Sequence, residues 1–413
     1  MPPDAPPRRF LFLQGPTSDF FPNLAAALRA RGHATFRINL CLGDRLFWRG
    51  TPATDFHGRA AAWPGFIAAY LARHGITDIL MLGEQRPYHL AAATAARRLG
   101  VQVVVTDYGY IRPDWLILER DGLGAGSRFP RQAEAILALA ASLPPVDFAP
   151  HYTDSFPRQA AADVLYHLAS LLPWPYPHYR RFTLHHPLPN YAATGWQLLR
   201  RNGHTRRAEA VLDRLAGQEC HLYAMQMETD FSLRAYSRFA DNDEAMAAAM
   251  ASFARGARPD AHLLVKVHPL DPGLKRWPGR VAALARAAGL AGRVHFLPGA
   301  LHMDRAIGAC RSVVTVNSTL AIRALQLGRP VLALGDAIYQ VPGLAWQGEA
   351  DAFWQAAPPP DPVVVEAFVR AIAACLQVRG VAFKRPGMDA AVRNAAARLD
   401  AGALNVPMAG VLG

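Results

Sequence analysis

The sequence predicts an α/β protein built from two Rossmann-like halves facing across a cleft, with a helical insertion carried by the first half. Short apolar runs end in polar or glycine turns and lead into helical periodicity through residues 10–106, and again through 220–334. That alternation is the signature of parallel strands joined by crossover helices. Between Phe129 and Leu215 the strand signals fade, and helical, proline- and aromatic-rich sequence takes over. At 413 residues the chain is long enough to bury two cores. These shifts set the boundaries at 1–128 for the first half, 129–217 for the insertion, 218–345 for the second half and 346–413 for C-terminal helices.

The first half opens with RRFLFLQGPTSDFFPNLAAALRARGHATFRINL, which reads as strand, loop, helix, strand. Phe10 to Leu13 are apolar, Gln14-Gly15-Pro16 turns the chain, and Leu24 and Leu28 mark a helix that Gly32 ends. Gly15 permits close approach of backbone to a ligand. The fuller glycine fingerprint of dinucleotide folds is absent, which argues against a dehydrogenase. Asp44 comes after the second strand, either as a solvated loop acid or as a ligand-side one. A helix around Pro64 to His74 precedes the strand Asp78 to Leu82, and GEQRPYHL then enters an alanine-rich helix. Arg86 and His89 therefore lie near a helix start, at the same sheet edge as Gln14. A lone histidine there is more often structural, but the neighbouring arginine strengthens the functional reading. The strand Val101 to Thr106 ends in DYGYIRPDWLILERDG. Asp107 sits at its carboxyl end, Gly109 permits a sharp turn, Arg112 precedes a proline that holds the chain extended, and Glu119 ends the next apolar run. Asp107 either works on a ligand or pairs with Arg112.

In the insertion, Trp174, Tyr176, Tyr179 and Trp196 are interspersed with Arg180, Arg181, Arg200, Arg201, Arg206 and Arg207. Such a mixture suits a surface that meets anionic lipid, and equally an interdomain surface. The histidines of this stretch lack metal spacing with nearby acids.

The strand Cys220 to Gln226 reopens the α/β pattern, with Gln226 and Asp230 at and beyond its end. The most informative sequence is 261–342, with two strand-to-turn junctions. In AHLLVKVHPLDPG the apolar run enters Lys266, His268 and Pro269; in RSVVTVNSTLAIRAL it ends in Asn317, Ser318 and Thr319 before a helix. Both place polar residues at the carboxyl edge of a buried parallel sheet, where ligands bind. Asn317 or Ser318 can cap the helix and leave backbone N–H groups aimed at an anion. Lys266 and His268 add charge and hydrogen bonds to the same phosphate. Each motif alone has an ordinary structural reading; together they favour a nucleotide-sugar or nucleotide-diphosphate site.

Composition narrows the classes further. Charged residues are 18% and hydrophobic residues 51%, which excludes wholesale disorder. No apolar run reaches the length of a spanning helix, and the lead MPPDAPPRRFLFLQGP does not read as a signal peptide. Cys41, Cys220, Cys310 and Cys375 are scattered without metal-like spacing, pointing to a reduced, cytoplasmic protein with no zinc site. The net charge of +12 favours anionic partners, yet no basic run or motif supports nucleic acid.

KVHP, then VNST some fifty residues later, then GRPVLALGDAIYQVPGL, resembles the donor half of GT-B glycosyltransferases that use CMP-activated acidic sugars. More narrowly, the sequence is similar to the bacterial capsule polysaccharide biosynthesis and export family, which includes β-Kdo transferases. FLQGP with Asn39, Gly43 and Asp44 matches its opening. TDYGYIRPDW with Glu119 matches its acid-x-Gly-aromatic-x-Arg-Pro motif, with Tyr108 standing where the pattern carries a second acid. The resemblance implies transfer of Kdo from CMP-Kdo to a lipid or glycan acceptor in capsule assembly and export, with no cofactor and no metal. It places the nucleotide on His268, Pro269, Ser318 and Thr319, to which Lys266 and Asn317 are added by their own position at the strand ends, and it implies that the C-terminal helices, 346–413, pack back on the cleft. Chemistry at an anomeric carbon needs a carboxylate, so Asp107, or failing it Glu119, is the catalytic candidate. Gln14, Gly15, Asp44, Arg86, His89, Arg112, Gln226 and Asp230 fall to the acceptor side or the cleft. The implied partners are the CMP-sugar, the acceptor, the capsule assembly and export machinery, and a peripheral contact with the anionic inner membrane. Other readings of the same scaffold are a nucleotide-sugar epimerase, a polyol-phosphate transferase, and a non-catalytic capsule assembly factor.

Overall fold

The computed structural model describes residues 7–49, 52–181, 183–299 and 301–408; the proline-rich lead, residues 1–6, lies outside them. The chain divides into two compact units. Unit 1 comprises Met1–Phe129, Leu139–Phe182 and Val369–Gly413, and unit 2 comprises Pro130–Ala138 and Thr183–Phe368. In chain order the strands are β1 (Arg9–Phe12), β2 (Ala34–Asn39), β3 (Thr54–Asp55), β4 (Asp78–Leu82), β5 (Gln102–Tyr108), β6 (Trp115–Arg120), β7 (Cys220–Ala224), β8 (His262–Lys266), β9 (Val294–Leu297), β10 (Ser312–Thr315), β11 (Val331–Ala333) and β12 (Gln377–Arg379).

The unit 1 sheet has the order β12-β6-β5-β4-β1-β2-β3. It is parallel from β3 to β5, after which β6 runs antiparallel to β5 and β12 antiparallel to β6. Successive side chains of a strand point to opposite faces, and both faces here are covered by helices. Phe10, Phe12, Leu80 and Val104 pack against Leu24 and Leu28 of the helix Phe20–Arg29, and against Ala391, Ala395 and Leu399 of the helix Gly387–Asp400. Their neighbours Leu11, Ile79, Met81, Val103 and Val105 pack on the other side, against Ile67, Leu71, Ala92 and Ala93 of the helices Trp63–Arg73 and Pro87–Arg98.

Of residues 346–413, expected as C-terminal helices packing back on the cleft, the described ones from Val369 on belong to unit 1 and those before Val369 to unit 2. The apolar side of the helix Gly387–Asp400 completes a core that its partner helix leaves open. A buried ion pair pins the accompanying strand: Arg379 Nε lies 3.2 Å from the Asp114 carboxylate, with its guanidinium 4.7 Å over the Trp115 ring. The turn from β5 into β6 depends on Gly109, where a Cβ would lie 2.6 Å from both Trp115 and the Ile111 carbonyl. The stretch 129–217 is divided between the units rather than forming one insertion on the first. The helix Phe156–Ala169 belongs to unit 1, and the helices Pro187–Leu199 and Arg201–Arg214 belong to unit 2.

The unit 2 sheet, order β11-β10-β7-β8-β9, is parallel throughout. Tyr223, Leu263, Val265 and Val314 cover one face with Met250, Phe253, Trp277, Val281 and Trp354. The helix Asn242–Gly256 begins at an Asp241 cap, whose carboxylate accepts from the Glu244 N–H. In unit 2 the chain reverses its direction of travel across the sheet between β7 and β10, and in unit 1 between β1 and β4. Crevices at such reversals, on the carboxyl side of the strands, are where open α/β sheets take ligands.

Candidate functional site

In unit 2 the strands β10, β7 and β8 are neighbours, so the polar residues at their carboxyl ends share one sheet edge. The two sequence motifs, some fifty residues apart, are thereby brought to either side of the β7 end. Asn317 is the brace. Its backbone N–H donates to Gln226 Oε1 at 3.0 Å, Gln226 Nε2 returns a bond to Asn317 Oδ1 at 2.7 Å, and Asn317 Nδ2 donates to the Ser232 carbonyl at 2.9 Å. Gln226 Nε2 also lies 3.3 Å from Asp230, which caps the helix Phe231–Ala235 through the Ser232 N–H. Gln226 and Asp230, read as acceptor-side or cleft residues, therefore hold the turn that carries Ser318.

Helix capping at this turn also differs from the expectation. Asn317 spends its amide on the brace, and the cap position of the helix Leu320–Gln326 falls to Thr319, which makes no side-chain cap bond. Ser318 Oγ accepts from the Leu320 N–H at 3.3 Å, and the Tyr339 hydroxyl holds the Ser318 carbonyl at 2.9 Å. Ser318 and Thr319 are half-buried.

Lys266 ends β8 and is 2% exposed. Its ammonium donates to the Val267 carbonyl at 3.3 Å, and no carboxylate of the described residues pairs with it. Burial pushes its pKa down to about 8. A buried cation without a counter-charge is costly, and an incoming phosphate would relieve that cost. Two residues on, His268 Nδ1 accepts from the Leu270 N–H at 3.2 Å, so in the neutral ring the proton sits on Nε2, as a donor. Pro269 is exposed at the tip of this turn.

Sequence reasoning missed a pocket just beyond the turn. It is small and partly open to solvent, and is lined by His185, by Met227 to Thr229 after β7, and by Asp271, Pro272, Leu274, Lys275 and Trp277 after β8. Lys275 is bound to Glu228, Asp241 and Asp243 at 2.7–2.8 Å, which ties the two loops together. The clue available in the sequence was the run LDPGLKRW, a charged loop directly after KVHP.

In unit 1 the edge residues are mostly occupied. Asp44 is neither solvated nor exposed: it is 2% exposed, its carboxylate accepts from the Leu40 N–H at 2.8 Å, the Tyr166 hydroxyl at 3.0 Å and Gln14 Nε2 at 3.1 Å, and Arg37 lies 3.5 Å away. Gln14 is buried with it and also donates to the Tyr166 hydroxyl at 2.7 Å. The space that Gly15 leaves is filled by the Phe21 ring, 2.3 Å from where a Cβ would stand, so this glycine serves packing instead of ligand approach. His89 is fully buried, donates from Nδ1 to the Gly83 carbonyl at 2.6 Å, and is kept neutral by burial and by nearby Arg86, its pKa falling to about 3. Arg86 itself is half-buried at the start of the helix Pro87–Arg98.

The two carboxylate candidates differ sharply. Glu119 is completely buried, with the Tyr110 hydroxyl donating at 3.1 Å and Ser127 Oγ donating to its other oxygen. Asp107 is half-buried at the end of β5, where Oδ1 accepts from the Tyr108 N–H at 2.7 Å. Tyr108 is packed, with the Arg112 guanidinium 5.0 Å over its ring and Gln159 donating to its hydroxyl. Arg112 itself is exposed.

The model of the capsule polysaccharide biosynthesis protein family matches residues 77–383. The chain belongs to that family. The matched segment takes in every candidate residue from Arg86 to Thr319 and leaves out Gln14, Gly15 and Asp44. Among its relatives, this chain is 29% identical to the capsule polysaccharide export protein KpsS of Escherichia coli, over 86% of this chain and 91% of that one. It is 30% identical to the capsule polysaccharide modification protein LipB of Neisseria meningitidis serogroup B, over 87% of each. Among solved structures it is similar to the β-Kdo 2,7 transferase KpsC of Thermosulfurimonas dismutans, with 14% identity, coverage of 94% and 98%, and a TM-score of 0.45. No helix among the described residues is long and apolar enough to cross a membrane.

Proposed function

We propose that this capsule polysaccharide biosynthesis protein is a glycosyltransferase that moves an acidic sugar, Kdo, from CMP-Kdo to a lipid or glycan acceptor on the cytoplasmic side of capsule assembly and export. The observation that carries the reading is the uncompensated Lys266 beside His268, on the same sheet edge as Ser318 and Thr319. As the anomeric C–O bond breaks, negative charge grows on the departing CMP phosphate. Lys266, the His268 Nε2–H and the two hydroxyls are the groups positioned to stabilise it. This assignment gives no step to a metal. Asp107 acts at the anomeric carbon or on the acceptor hydroxyl, as the less buried of the two carboxylates. His268→Ala is expected to weaken CMP binding by about 1–3 kcal/mol, the usual loss for a hydrogen bond to a charged group. Unchanged affinity by calorimetry, in a folded variant, would remove His268 from the site.

The same reading extends to a peripheral membrane contact. The aromatic and arginine cluster separates on folding: Tyr176 is buried with its hydroxyl on Asp55 at 2.6 Å, and Tyr179 stacks on Tyr88. In unit 2, Leu188, Ala192, Gly195, Trp196 and Leu199 form an exposed stripe along the helix Pro187–Leu199, with Arg200 over the Trp196 ring at 4.4 Å and exposed Arg201, Arg206 and Arg207 beyond it. An apolar stripe bordered by arginines suits an anionic bilayer surface. The protein should cosediment with phosphatidylglycerol vesicles at low salt and release as exposed charge is screened over about a Debye length of roughly 8–10 Å. Leu199→Ser with Trp196→Ser should abolish this, and indifference to anionic vesicles would leave the stripe without a lipid role.

A further inference from the structure

We infer that the pocket beside the KVHP turn is a cytosine-reading subsite, in which the Asp271 carboxylate accepts from the 4-amino group of the base. The inference rests on the proposed CMP-sugar reading and deepens it, from phosphate to base. Its geometry starts at His268. The Asp271 N–H donates to the His268 carbonyl at 3.0 Å, so the turn that presents the phosphate ligand ends on the pocket wall. The inference sets the base of a nucleotide whose phosphate is held at this turn against that wall.

The wall is suited to a flat, partly apolar ring. Met227, Pro272, Leu274 and Trp277 supply the apolar lining, and the polar groups are few. Glu228 is already engaged, with one oxygen on Lys275 at 2.7 Å and the other on Asn242 Nδ2 at 2.8 Å. Lys275 is saturated by its three carboxylates. Asp271 is not saturated. It is 8% exposed, and its Oδ1 takes both the Gly273 N–H at 2.7 Å and the Trp277 indole N–H at 2.9 Å. Oδ2 accepts no hydrogen bond from the described residues, yet it is not among the sealed, orphaned atoms of the interior. A nearly buried carboxylate with one acceptor oxygen left open selects an N–H donor. Burial raises the Asp271 pKa, and such a donor would offset that penalty. Cytosine offers the donor as its exocyclic amine, the group that aspartate and glutamate accept from when they read this base; uracil presents a carbonyl oxygen at the same place, acceptor against acceptor.

Asp271→Asn tests this with little disturbance to the fold. The Gly273 and Trp277 N–H groups hold the amide oxygen in the place of Oδ1, and the amide nitrogen takes the place of Oδ2, turning an acceptor into a donor. Calorimetric titration of the full-length protein with CMP and with UMP should show a preference for CMP of roughly tenfold or more, in keeping with the usual discrimination of such pairs. In Asp271→Asn that preference should vanish or reverse, with UMP gaining. A variant that keeps the CMP preference, or that loses both nucleotides equally, overturns the inference. Leu274→Trp, at a partly exposed wall residue, should weaken both nucleotides by crowding the ring, and unaltered affinity there would also place the base elsewhere. Failure of the unaltered protein to bind either nucleotide would defeat the donor reading itself, a result distinct from a pocket that binds CMP without reading it.

Discussion

Asp107→Asn is expected to leave the fold and CMP affinity intact while lowering sugar transfer by about 10²–10⁴-fold, the range that a positioned acid or base contributes. The amide can neither attack an anomeric carbon nor take a proton from an acceptor hydroxyl. An amide oxygen takes the Tyr108 N–H bond that the carboxylate accepts, so the turn keeps that bond while the charge attraction to Arg112 is lost. Glu119→Gln should behave differently. Its carboxylate is enclosed by Tyr110 and Ser127, so the loss should be read in stability before activity. If Asp107→Asn turns over normally and folded Glu119→Gln does not, the catalytic role passes to Glu119.

Lys266→Met should move stability and ligand affinity in opposite directions. The lysine pKa is about 8 in the folded protein, below the value of about 10.4 for a free lysine. The unfolded chain therefore binds the proton more tightly, and the charged form costs native stability below pH 8. At about 1.4 kcal/mol per pH unit, the cost at pH 7 is on the order of 3 kcal/mol. Methionine fills similar space without the charge, so the ligand-free variant should be more stable at pH 7 by about 2–3 kcal/mol. The difference should shrink as the pH rises from 8 toward 10, where the unaltered protein regains stability. CMP affinity should fall in the variant, and in the unaltered protein it should fall as the pH passes 8 and the ammonium is lost. Urea unfolding at pH 7 and pH 10, with and without CMP, separates these effects. A less stable variant at pH 7 would show that Lys266 has a counter-charge.

Most of both sheets was legible in the sequence, because buried parallel strands are written as apolar runs with sharp ends. DILML became β4 over the residues read for it, and VTVNST formed a strand and turn at the expected place. The antiparallel additions were hidden. β6 lies in WLILER, an apolar run whose direction depends on the turn at Gly109, and β12 has three residues, QVR, whose place is fixed by the buried Asp114–Arg379 pair. Such a pair joins residues far apart in sequence and leaves no local pattern. For the same reason, the sequence could nominate Asn317, Gln226 and Asp230 singly but could not show that they bond to one another. Gly15 shows the converse limit: a glycine in a strand-end loop reads as room for a ligand, whereas here the room belongs to Phe21.

If the site acts as proposed, this chain breaks the bond between CMP and an acidic sugar. Acceptor-dependent release of CMP from CMP-Kdo reads that event itself, measured with lipid extract from capsule-forming cells beside a parallel reaction given UDP-N-acetylglucosamine. We expect CMP release matched by sugar joined to the extract, loss of both in His268→Ala, and an untouched UDP-sugar. Intact CMP-Kdo together with epimerised UDP-sugar, or CMP release that His268→Ala leaves unchanged, would contradict the proposed transfer.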